Sequence, residues 1–241
     1  MKTMKYFRLA LLIFGVIAFQ GCDEDNDCIP ATGDVIQEEL LLEPFTKVSL
    51  EISADVFIRQ GDEQQVMVEA QSSIVDLLLQ TSVANDDWTI RLDECVNTNE
   101  GINIFITIPA LDDVSISGSG NVVVEDRFTQ NSVSLRTSGS GSIDGDFTTT
   151  NLECSISGSG GIMLAGSAQT ADIGISGSGS VEAFEMSSNQ CDVSISGSGS
   201  VNVSVTELLE VTIAGSGSVR YKGNPTIDSS ISGSGRVIDA N

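Results

Sequence analysis

The chain has 241 residues, of which 11 are Lys or Arg, 34 are Asp or Glu and none is His, a formal net charge of −23. The absence of histidine excludes Ser-His-Asp and Cys-His catalysis and the usual His-containing zinc sites, and the acidity argues against nucleic acid as a partner. The cysteines, at positions 22, 28, 95, 154 and 191, form no CxxC pair, so a thiolate metal cluster is unsupported as well.

In chain order, Lys2, Lys5 and Arg8 precede the apolar stretch Leu9 to Phe19, followed by Gln20-Gly21-Cys22. This is the order of n-region, h-region and small-residue exit of a secretory signal, and the stretch is too short to span a bilayer. A cysteine directly after the small residue resembles the lipobox of bacterial lipoproteins. That resemblance implies removal of residues 1–21, lipidation of Cys22 and a membrane partner held through the lipid. Loss of the three early basic residues leaves 8 basic against 34 acidic side chains, a net charge of −26.

Residues 22–44 read as an acidic tether opened by Asp23-Glu24-Asp25-Asn26-Asp27, a polar run without hydrophobic period. The run also resembles the acidic export signal of surface lipoproteins in the Bacteroidetes. The expected location is the outer membrane facing the cell exterior, with a periplasm-facing lipoprotein as the alternative. With Cys22 lipidated, four cysteines remain in an oxidising compartment. Cys28 and Cys95 lie outside the regular repeats and are candidates for a bridge between tether and body, although sequence leaves the connectivity open.

From about Phe45 the pattern alternates, as in Val48-Ser49-Leu50-Glu51-Ile52, Val66-Met67-Val68-Glu69-Ala70, Trp88-Thr89-Ile90-Arg91-Leu92 and Ile102 to Ile108. Period-2 alternation rich in β-branched residues predicts half-buried strands. Beyond Pro109 the tripeptide GSG recurs with its first glycine at Gly118, Gly139, Gly158, Gly177, Gly197, Gly215 and Gly233. Two residues before each copy stand Ile116, Thr137, Ile156, Ile175, Ile195, Ile213 and Ile231; two residues after it stand Val122, Ile143, Ile162, Val181, Val201, Val219 and Val237. A flexible linker would lack apolar residues at fixed offsets, so each copy reads as strand, glycine corner, strand.

A step of about 18–21 residues accommodates three short strands and three corners. Stacked coils then pair each strand with its equivalent about 4.8 Å away. The fold class expected is all-β, a single-domain parallel β-helix of right-handed sense, over residues 45–241. Within it, residues 45–113 form irregular coils and 114–241 the GSG coils. The segment Leu50 to Val56 looks like a degenerate copy of Val114 to Val122, shorter by two residues at the corner. Three or four early coils under seven late ones predict a rod roughly 50 Å long.

The same alignment yields the outward positions. Five places before each GSG stand Asp113, Ser134, Glu153, Asp172, Asp192, Glu210 and Asp228, an acidic column beside columns of serine. Like charges on adjacent strands repel. Protonation, bound Ca²⁺ taking carboxylate and hydroxyl oxygens, or Arg136 lying across the one neutral coil would relieve that repulsion. The acids Asp113, Glu153, Asp172, Asp192, Glu210 and Asp228 are therefore a candidate weak divalent-cation column, against the plainer reading of a solvated face. Cys154 and Cys191 fall in inward columns two coils apart, roughly 9.6 Å, beyond disulfide reach. Near the C-terminal end Arg220, Lys222, Arg236 and Pro225 act as gatekeepers against end-to-end pairing, or else that end pairs with a second molecule.

The opening Phe45-Thr46-Lys47-Val48, the strand Val56 to Gly61, the strand end Ile106-Thr107-Ile108-Pro109 and the ISGSG copies together resemble the putative auto-transporter adhesin, head GIN domain family of bacterial surface proteins. The resemblance covers about residues 45–240. It implies a β-helix outside the cell and supplies no catalytic residues. The function expected is a non-enzymatic surface adhesin or binding scaffold with a glycan or protein ligand. The alternatives are a carbohydrate-active β-helix enzyme, lyase or hydrolase, which would need converging carboxylates or a Ca²⁺ site, and a purely structural spacer.

Overall fold

A computed structural model describes residues 28–241. The expected signal segment, the lipidation position Cys22 and the acidic run 23–27 lie outside the described residues. Alternating apolar residues turn the chain into three-sided coils whose strands pair in parallel. On the first side the ladder runs Asp87–Ile90, Lys47–Leu50, Asp113–Gly118, then the ends of Phe128–Gly139, Ser142–Gly158, Gly161–Gly177, Ser180–Gly197 and Ser200–Gly215, and last Thr226–Gly233. The second side repeats this from Asn103–Ile108 through Asp55–Gln60 and Asn121–Val124 to Ser218–Lys222 and Arg236–Asp239. The third side is formed by segments such as residues 147–149 and 166–168.

The predicted Ile and Val positions are the core in all but the last coil, where Ile231 is exposed and Val237 half-buried. Ile116, Ile156, Ile175, Ile195 and Ile213 form one buried column, and Val122, Ile143, Ile162, Val181, Val201 and Val219 form another across the corner. Each such side chain contributes roughly 1.5–3 kcal/mol on burial. Thr137 takes the isoleucine place in its coil, and its buried hydroxyl has no hydrogen-bond partner. Thr137→Val keeps the shape and removes the unpaired group. We expect a gain of about 1 kcal/mol, seen as a rise in melting temperature of roughly 2–4 °C; no rise would mean that the hydroxyl is satisfied in solution.

The two glycines of a GSG corner have different tasks. Gly177 has φ +127°, and a Cβ there would lie 2.4 Å from the Gly158 carbonyl oxygen of the preceding coil. That same oxygen accepts a hydrogen bond from the Ser178 N–H at 2.8 Å, so the ladder continues around the bend. Gly179 instead makes room for a side chain, since a Cβ there would lie 2.5 Å from the Ile156 methyl group. The isoleucine column and the second glycine column are thus one packing solution.

The early coils depart from the sequence reading in three ways. The stack contains two rungs before the first GSG coil, not three or four, because Gln65–Gln71 and Val35–Glu39 pair antiparallel on the outer edge of Asn103–Ile108. Nine rungs at about 4.8 Å spacing shorten the rod to about 38 Å. The order is also not sequential: residues 87–108 form the outermost coil and residues 47–60 lie between them and the first GSG coil. Finally, Val48 pairs with Val114, Leu50 with Ile116 and Val56 with Val122. The early corner is therefore as long as the later one, with Ser53 and Ala54 at the positions of Ser119 and Gly120.

The antiparallel strands and the helix Ser72–Leu78, which buries Ile74, Val75 and Leu78, close this end of the stack. A parallel coil end would otherwise offer unpaired edges. Cys28 and Cys95 are disulfide-bonded with Cα atoms 4.6 Å apart, beside the short parallel pair Ile29–Pro30 and Val96–Asn97. Closing a loop of this length stabilises by about 4 kcal/mol on the chain-entropy account. Cys154 and Cys191 are buried free thiols, and burial pushes both pKa values up, that of Cys191 to about 12.

Candidate functional site

The outward surface has three distinct regions. On the first side Asp113, Ser134, Glu153, Asp172, Asp192, Glu210 and Asp228 stand in register as one column. The column continues beyond Asp113 through Lys47 to Asp87, two members the repeat alignment did not reach. Arg136 spans the coil of Ser134, 2.5 Å from Asp113 and 3.5 Å from Glu153. It relieves the repulsion at that end, leaving Asp172, Asp192, Glu210 and Asp228 without a basic neighbour in the column.

Among the described residues no group of three or more His, Cys, Asp or Glu comes together to hold a metal ion. A column offers one carboxylate per coil, whereas Ca²⁺ takes roughly six to eight oxygens. Burial, and then the charges of Asp192 and Glu153, raise the pKa of Asp172 above its ordinary value. An acid whose folded pKa exceeds its unfolded one binds its proton more tightly in the folded state. Its charge therefore costs stability as pH rises through the folded value, and acidification restores the loss. Asp172→Asn is expected to raise the melting temperature at pH 7 and to change little near about pH 3, where the acid is largely protonated in both states. Equal shifts at the two pH values would assign the effect to something other than this charge.

On the second side the column after the corner contains Val123, Asp144, Met163, Glu182, Asn202, Arg220 and Ile238, as the repeat alignment placed them. The register adds Phe57, Phe105 and Met67 to this column. Phe57 and Phe105 stack with ring centroids 5.4 Å apart and planes at 16°. Two rings stacked along the ladder cover each other's faces, so they stabilise the sheet and do not present a flat platform to a sugar ring. Asp144 and Glu182 stand two coils apart, separated by the rung of Met163.

The third region lies where the third side turns back into the first. A cleft of about 520 Å³ runs across successive coils there. One row along it is Thr129, Thr148 and Ser167, aligned coil to coil. A second row on the corner itself is Asn131, Thr150, Gln169 and Asn189. Thr149 lies between the rows and turns its hydroxyl inward to the Asn151 carbonyl at 3.0 Å. Among the described residues, no side chain of the two rows hydrogen-bonds another protein group, and no lining residue is charged.

Sequence reasoning anchored on glycine missed this cleft, although a signal existed. Asn131, Thr150, Gln169 and Asn189 each stand eight places before the first glycine of their GSG. The alternation breaks at these corners, which hid them from a search for period-2 columns. Among the described residues, no helix is long and apolar enough to cross a membrane.

Comparison with known proteins agrees with this architecture. Residues 44–225 match the family model described as putative auto-transporter adhesin, head GIN domain. No curated protein matches the chain. Among solved structures, a putative adhesin from Bacteroides fragilis NCTC 9343 is similar with a TM-score of 0.79 and 26% identity, over 88% of this chain and 98% of that one. A putative lipid binding protein from Parabacteroides distasonis ATCC 8503 has a TM-score of 0.74 at 24% identity, over 88% and 99% of the two chains. A putative adhesin from Parabacteroides merdae ATCC 43184 gives 0.70 at 20%, again over 88% and 99%. For the last two the likeness is one of fold. The family match runs from the first strand of the solenoid past the sixth GSG corner, and on that extent the chain belongs to the putative auto-transporter adhesin, head GIN domain family.

Proposed function

We propose that the protein is a non-enzymatic surface adhesin, tethered through lipid at Cys22, which presents the long sides of its solenoid to polymers of the cell envelope or of a host. The observation that carries this reading is the parallel ladder of the first side, which repeats an outward acid or hydroxyl in register over successive GSG coils. Such a surface suits a ligand that is itself extended and repetitive. The absence of histidine removes most nucleophilic and general-base machinery.

The test is retention of the full chain on an array of envelope and host polysaccharides and matrix proteins, with protease shaving of intact cells for location. Specific retention by at least one polymer is expected; retention by none would overturn the adhesin in favour of a spacer. Release of new reducing ends from a bound polysaccharide would overturn the non-enzymatic reading. End-to-end pairing of two chains belongs to the same proposal. The last coil exposes Ile227 (40%) and Ile231 (42%). Arg220, Lys222 and Arg236 offset Asp228 and Asp239 there, so two copies can approach with little charge repulsion. A monomer at all concentrations in sedimentation would set that part aside.

A further inference from the structure

We infer that the cleft between the third and first sides is a subsite for an uncharged, linear glycan lying along the solenoid axis. This deepens the adhesin reading and rests on it. Three observations converge on the cleft. Its lining is neutral in a body where acids outnumber bases several-fold, so an uncharged chain meets hydrogen-bonding groups there without a fixed charge to desolvate. Anionic polymers are repelled by the rest of the molecule.

The two rows also have unused capacity. Asn131, Gln169 and Asn189 carry amides with both donors and acceptors, while Thr129, Thr148, Thr150 and Ser167 carry hydroxyls that do both. Near the start of the GSG coils some comparable groups are instead committed to one another, as in the Asn121 amide with Asp55 at 2.8 Å and the Ser142 hydroxyl with Asn121 at 2.7 Å. A sugar hydroxyl is likewise donor and acceptor, so each rung matches one sugar without requiring a particular orientation of either partner.

The third observation is periodicity. Corner residues repeat once per coil, about 4.8 Å apart, a spacing comparable with the advance of one pyranose in an extended chain. The four rungs from Asn131 to Asn189 span about 14 Å. The row is bounded: the equivalent corner on one side is Ala110, and on the other it is Glu207. The volume of about 520 Å³ suits a short oligosaccharide and not a folded domain. No exposed aromatic or arginine anchor of the kind that dominates protein interfaces lines it.

The test uses the full chain in detergent micelles and titrates cellohexaose, maltohexaose, xylohexaose and chitohexaose, with a polygalacturonate oligomer as the anionic comparison. At least one neutral hexasaccharide is expected to bind. The pair Thr150→Ala with Gln169→Ala should weaken it at least tenfold with unchanged melting temperature, and Asn131→Ala with Asn189→Ala should weaken it less. Asp192→Asn, on the neighbouring side, should leave affinity unaltered. Neutral binding that survives both alanine pairs would overturn the cleft while sparing the adhesin reading. So would binding of the anionic oligomer alone. If none of these oligomers binds, the glycan assignment falls, and the adhesin reading is then decided by the wider polymer array.

Discussion

Ile175→Asp is expected to abolish the cooperative thermal transition or to lower its midpoint by well over 10 °C. Ile175 is 2% exposed and lies between Ile156 and Ile195 in the buried column. The substitution removes an aliphatic contribution of roughly 1.5–3 kcal/mol and leaves an uncompensated carboxylate, a change that typically costs about 3–5 kcal/mol. The position adds to the effect, because coils in a solenoid are stabilised by nearest neighbours and Ile175 sits in the fourth of seven GSG coils. Breaking the stack there separates it into two shorter pieces. Ile231→Asp is the internal control: the side chain occupies the same column but is 42% exposed in the last coil, and a shift of a few degrees at most is expected. Equal losses from the two variants, followed by circular dichroism, would contradict the stacked-column account.

Gly177→Ala is expected to cost about 2–6 kcal/mol, the sum of a φ that L residues adopt at a cost of roughly 1–3 kcal/mol and an overpacking cost of about 1–3 kcal/mol. The clash is with the Gly158 carbonyl, a backbone atom fixed by its own ladder bond, so it cannot be relieved by rotating a side chain. Gly118→Ala separates the two terms. Gly118 has φ +138°, but a Cβ there meets nothing within 4 Å, because the preceding rung has no glycine corner of the same shape. Only the conformational cost of roughly 1–3 kcal/mol remains. Chemical denaturation of both variants should rank Gly177→Ala clearly above Gly118→Ala. The reverse order would mean that the corners are governed by backbone conformation alone.

The repeat region was legible because each physical demand of a coil falls on a residue at a fixed distance from its glycine. The buried columns through Ile175 and Val181, the acidic column through Asp172 and the position of Arg136 across the neutral coil could all be placed by counting. The early rungs resisted the same treatment. Their corner lacks glycine, with Ser53 and Ala54 at the bend, so the copy at Val48 to Val56 could be aligned two residues out of place. Strand Gln65–Gln71 has the same alternation as a solenoid strand, since Val66, Val68 and Ala70 are buried, yet it pairs antiparallel. Alternation reports which face is buried and carries no information about the direction of the neighbour.

Order in the stack is a tertiary matter for a related reason. Coil 47–60 presents an apolar interior and two open edges, and either edge accepts a parallel strand. Residues 87–108 take one edge and Asp113–Gly118 the other, and the far end beyond residues 87–108 is closed by Val35–Glu39, Gln65–Gln71 and the helix Ser72–Leu78, contacts made between segments distant in the chain. The neutral cleft arises in the same way: Thr129, Thr148 and Ser167 lie about one coil apart in sequence, and only stacking brings them side by side. The amino-acid order alone therefore determined the coil, its corners and its buried columns, which depend on spacing within one turn. Packing between turns decided their order, the capped end and the concave surface, because those depend on which free edge each turn finds.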